Sequence, residues 1–215
     1  MVLAGQHPVF MTCSLQKISS LILSERGNEV VTFRSVLLFI FVCEGKNEEA
    51  IIKWLADADA INFPKEQYSL DFCRARTRST RSKIRNAVTQ YDYGGQVAVV
   101  YICDSHSENW SVGKDCMGNE IPVIKIVTSP EIEILLVYKE KSIQKWKNAR
   151  AGNRQLHVSS FCRQILKMDV KNGENFIEQF SSIEDFKNIC AEYKKNTSSS
   201  GHKMKNEMTW YDLLK

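Results

Sequence analysis

The run VLLFIFVC, residues 36–43, is apolar throughout and stops abruptly at Glu44-Gly45. A strand presents alternate residues to opposite faces, so a run that is apolar on both belongs to a strand buried on two sides, as in a parallel sheet covered by helices. It is far shorter than the roughly 20 residues that cross a bilayer, and no membrane association is expected.

The next residues fit that reading. EEAIIKWLADA follows the turn, with Ala50, Ile51, Trp54 and Leu55 on one helical face. YSLDFC then reads as a second strand, an arginine-rich stretch leads into a helix ending near Gln90, and Gly94-Gly95 breaks it. QVAVVYIC is a third strand and IPVIKIV a fourth, after an irregular loop from Ser105 to Glu120. Strands alternating with helices predict an α/β domain with a mainly parallel four-stranded sheet flanked by helices, its functional loops at the carboxyl ends of the strands. Beyond Pro130 the sequence predicts helices near 131–149, 158–168 and 182–195. The expected organisation is residues 1–35 as an N-terminal helical or irregular segment, 36–150 as the α/β domain, 151–195 as a helical extension, and 196–215 as a flexible linker and terminal segment. Within 1–35, Leu15, Ile18, Leu21 and Ile22 have the spacing of a short helix stopped at Gly27-Asn28.

Seven scattered cysteines without a CxxC pair, in a sequence with no cleavable signal at its start, predict reduced thiols and a cytoplasmic location. Cys43, Cys73 and Cys103 recur at thirty-residue intervals, each closing a predicted strand. A thiolate zinc site would need their side chains to converge; burial as small hydrophobes is the expected alternative.

Two carboxylates stand where such a sheet does its chemistry. Glu44 follows the first strand and is succeeded by Gly45, which permits a tight turn; Asp104 follows the third, with His106 and Glu108 beyond it. Two strand-end acids can share one hard cation such as Mg²⁺, which prefers oxygen ligands. In SPEIEILLVY, Pro130 suits a helix start and Glu131 and Glu133 follow, but only one can face a cleft, since residues two apart point about 200° apart around a helix. Glu131 and Glu48 also suit the simpler role of acids complementing a helix dipole. The formal charge of +4 does not announce a nucleic-acid binder, but the basic residues cluster. Arg74, Arg76, Arg78, Arg81, Lys83 and Arg85 fall within CRARTRSTRSKIRNA, and Arg78, Arg81 and Arg85 would form one ridge on a helix beside the cleft, suited to phosphate; Lys46 adds a cation near Glu44. No GxxxxGK[ST], GxSxG or HExxH motif is present, which disfavours those enzyme classes.

Glu-Gly after a strand, Asp after a later strand, and then a P-x-x-E helix resemble the TOPRIM domain over residues 36–147, closest to the RloB-type and OLD-related proteins of prokaryotic phage defence. The resemblance implies that Glu44 does acid/base work or binds metal, that Asp104 binds Mg²⁺ or Mn²⁺, and that Glu133 matches the glutamate of the family's N-P-x-F-E segment. Here the family's DxD is replaced by Asp104-Ser105-His106, which puts His106 where the second acid stands and leaves three alternatives, Glu108 as a substitute ligand, a site for one metal, or a loss of catalysis; histidine is a better ligand for Mn²⁺ than for Mg²⁺. The expected function is a metal-dependent nuclease cleaving phosphodiesters in RNA or DNA, with Glu44, Asp104 and His106 catalytic. The alternatives are a non-catalytic TOPRIM-like module working with a partner ATPase, or a nucleotide-binding protein; a homo-oligomer is left open.

Overall fold

The computed structural model describes residues 36–73, 78–90, 96–107, 110–170, 172–198 and 207–215. The readings of residues 1–35, Arg74, Arg76, Gly94-Gly95, Glu108 and most of the predicted linker lie outside them.

Five parallel strands form the sheet, in the order β2-β1-β3-β4-β5. These are β1 (Val36–Cys43), β2 (Tyr68–Ser69), β3 (Gln96–Cys103), β4 (Val123–Val127) and β5 (Glu207–Met208). The expected four strands are all present. The fifth is a correction: it comes from residues 207–208, which the sequence assigns to the linker and terminal segment. Two residues are too few to show an alternating pattern in sequence, and pairing along β4 is what makes them a strand.

The two long central strands are apolar on both sides because both sides are covered. Phe39, Phe41 and Cys43 of β1 and Ala98, Val100 and Ile102 of β3 face one core, with Ile51, Ile52 and Leu55 of helix α1 (Lys46–Asp57). Ile40, Val42, Val97, Val99, Tyr101 and Cys103 face the other, with Val88 of α2 (Arg78–Gln90) and Val112 and Ile121 of the long loop. Because Cys43 and Cys73 lie in the first core and Cys103 in the second, the three strand-end thiols cannot converge on one zinc ion. All three are buried and none is in a disulfide, and burial pushes the Cys43 thiol well up.

YSLDFC yields only two strand residues, as suits a sheet edge, although the Cys43 N–H still donates to the Cys73 carbonyl at 2.9 Å. Between β4 and β5 lie α3 (Ile134–Lys139), α4 (Ile143–Gly152), α5 (Val158–Gln164), α6 (Gly173–Ile177) and α7 (Ile183–Ser198). The single helix expected over 131–149 is thus two, separated where Lys141 takes a left-handed φ of 49°. A last short helix, α8 (Trp210–Leu213), follows β5. No helix among the described residues is long and apolar enough to cross a membrane.

Candidate functional site

In the order 2-1-3-4-5 the chain reverses direction across the sheet between β1 and β3, and the crevice beyond the carboxyl ends of those strands is where doubly wound sheets bind ligands. The first residues past the two strands are Glu44 and Asp104. They meet: the Asp104 N–H donates to Glu44 Oε2 at 3.2 Å, while the Glu44 N–H is anchored on the Ile102 carbonyl at 2.9 Å.

Two further carboxyls close on this pair. Glu48, in the first turn of α1, is buried, and its carboxyl folds back over Gly45 so closely that a Cβ there would collide with it. Burial raises the Glu48 pKa to about 7, and the negative charges of Glu133, Asp104 and Glu44 push the same way. Glu133 stands at the start of α3, and Asn47 Nδ2 donates to its Oε1 at 3.0 Å and to the Val170 carbonyl at 3.2 Å. Burial, then Glu131 and Asp104, raise Glu133 to about 6, against the bond from Asn47 that favours its charged form. Asn47 therefore ties the start of α3 to the start of α1. Sequence reasoning missed it, because one amide in a helix's first turn carries no periodic signal.

The donor set of Glu44, Glu48, Asp104 and Glu133 is all oxygen, which fits a hard divalent cation and not a soft one. Among the described residues, no three His, Cys, Asp or Glu side chains are already gathered to coordinate one ion.

The other predicted residues lie elsewhere. His106 Nδ1 pairs with Glu207 Oε2 of β5 at 2.5 Å, and its carbonyl accepts from Lys125 Nζ of β4 at 3.0 Å, so its ring is engaged on the β4–β5 side of the sheet. Glu131 acts at a helix start, but not its own: its Oε2 accepts from the Ser159 N–H of α5 at 2.9 Å and its Oε1 pairs with His157 Nδ1 at 2.6 Å. Lys46 is exposed at the first position of α1. Arg78, Arg81 and Arg85 fall on α2, across the sheet from α1 and α3. The Arg85 guanidinium lies beside Gly113, whose carbonyl accepts from Ile121 just before β4 begins, at the opposite end of the strands from Asp104.

No protein-family model, curated protein or solved structure matches this chain.

A cleft of about 520 Å³ opens beside the acidic crevice, with Asp104 on one side and Pro130, Glu131, Arg150, Arg154 and His157 around it. The Ser129-Pro130 peptide is cis, and the Tyr193 hydroxyl brackets Ser129, accepting from its N–H at 3.0 Å and donating to its carbonyl at 3.2 Å. Arg150, Arg154 and His157 lie about fifty residues beyond Asp104 in sequence, and no local pattern links them to it.

Proposed function

We propose that this chain is a metal-dependent nuclease that cleaves phosphodiesters in RNA or DNA. The observation that carries the reading is the bond between Glu44 and Asp104 at the β1/β3 reversal, with Glu48 and Glu133 closing on it. The TOPRIM-like order of Glu-Gly, Asp and P-x-x-E supports it, and with it a role in phage defence.

Asp104 and Glu133, with Glu44 or Glu48, would hold Mg²⁺ or Mn²⁺, which would supply Lewis acidity toward a phosphoryl oxygen. Glu44 orients the attacking water and takes its proton. Asn47 holds Glu133 in position, and Gly45 leaves room for the Glu48 carboxyl.

Labelled RNA, single-stranded DNA and duplex DNA incubated with Mg²⁺ or Mn²⁺ test this. Cleavage should stop in EDTA, and Glu44→Gln and Asp104→Asn should each slow it by about 100-fold or more. Undiminished cleavage in both variants refutes the mechanism. The engagement of His106 by Glu207, away from Asp104, favours a second reading, a non-catalytic module working with a partner ATPase. Binding without cleavage by the wild type would select it.

A further inference from the structure

We infer that the cleft between Asp104 and the α4–α5 connection is a phosphate subsite for one nucleotide of a single strand, with Arg150 and Arg154 as its anion-binding groups. This deepens the nuclease reading and rests on it for the fate of the bound strand; the binding itself needs no metal.

The cleft carries more positive than negative charge that is still available to a ligand. Glu131 is already satisfied, with His157 on one oxygen and the Ser159 N–H on the other. Arg150 and Arg154 are exposed, and among the described residues neither guanidinium is ion-paired. The Arg150 guanidinium lies over the ring of the buried Trp146, 5.8 Å from its centroid, which restrains the side chain while leaving its N–H groups to a ligand. Arg150 also sits in the last turn of α4, where a cation complements the helix dipole, but Arg154 lies past the helix end and has no such role. Two guanidiniums at one wall suit the paired oxygens of a phosphate, which each can hold bidentately.

Asp104 lines the same cleft and belongs to the acidic crevice. A phosphate held by the two arginines therefore lies next to the carboxylates. The volume of about 520 Å³ is that of a small-ligand site and suits one nucleotide. A paired duplex, whose bases are stacked inside, would have to open before a nucleotide could enter.

Fluorescence anisotropy decides this in EDTA, where cleavage cannot contribute. The probes are a roughly twelve-nucleotide RNA, the DNA of the same sequence, and the duplex of each. Wild type should bind the single strands more tightly than the duplexes. Arg150→Ala/Arg154→Ala should weaken single-strand binding about tenfold or more and flatten the plot of log affinity against log salt by about one, as expected for the loss of one or two phosphate contacts. Lys65→Ala, exposed just before β2, should leave both unchanged. Arg154→Glu should weaken binding further than Arg154→Ala. The RNA and DNA arms show which strand the site takes. Equal affinity and slope in the double variant, a preference for duplex, or no salt-dependent binding by wild type would overturn the subsite. If the subsite fails while Mn²⁺-dependent cleavage still requires Glu44, the nuclease reading stands alone. If the arginines govern binding but nothing is cleaved, the subsite stands and the nuclease reading falls.

Discussion

A buried carboxyl among other carboxyls is costly to ionise, and Glu48 shows what that does to the protein. Its folded pKa of about 7 lies above the ordinary 4.5, so between those values the folded state holds a proton that the unfolded state has released. Stability must then fall as pH rises through this window, by at most about 3 kcal/mol from this group. Glu133, raised to about 6, adds a loss of the same sign that is complete at lower pH. Urea unfolding at about pH 5 and about pH 8 should show the acidic condition favoured in this respect, and Glu48→Gln should flatten the difference by gaining stability at the higher pH. A variant with the wild-type pH dependence would show that Glu48 is not buried among acids in the folded protein. Added Mn²⁺ should stabilise wild type more at about pH 8, where the carboxyls are free of protons, than at about pH 5.

The acidic crevice depends on how closely the elements behind it approach. Gly173, the first residue of α6, sits against α1: a Cβ there would lie 2.5 Å from Ala50 Cβ and 2.9 Å from the Lys46 carbonyl. Gly173→Ala must push α6 off α1, a cost of about 1–3 kcal/mol, which thermal and urea unfolding would register. Unchanged stability would mean that the two helices part without strain. The shift would also disturb Asn47, which bonds Val170 just before α6, and so the hold on Glu133. None of this contact is written locally in the sequence. The central strands were legible, because burial on two faces leaves a continuous apolar run, and Glu44 and Asp104 were legible because each ends such a run. Edge strand β2 was legible only in part, since pairing on one side supports fewer residues. His106 stood beside Asp104 in sequence, but its ring is claimed by Glu207, 101 residues away. Arg150 and Arg154 reach the cleft only through the fold of α3 to α5.

Residues 207–215 join regions far apart in the sequence. Glu207 and Met208 pair with β4, and Glu207 also meets His106 and Lys125. Thr209 and Asp212 form a reciprocal cap on α8, and Lys194 of α7 pairs with Asp212. Trp210, 1% exposed, packs edge-on to Phe186 of α7 with ring centroids 6.1 Å apart. Leu213 is fully buried, and its carbonyl accepts from the Asn62 N–H at 2.8 Å; the Lys215 N–H donates to the Ala60 carbonyl at 3.0 Å. This segment therefore covers the β4 edge and reaches the connection between α1 and β2. Trp210→Ala removes a fully packed ring from the centre of that arrangement and should cost about 3–5 kcal/mol, seen as a lowered melting temperature. Deleting residues 207–215 should go further, leaving the edge of β4 open to pairing with other molecules, so that size-exclusion chromatography finds aggregates where Trp210→Ala remains unaggregated. Wild-type melting in Trp210→Ala would contradict this account, because a ring so enclosed cannot be lost without a cavity.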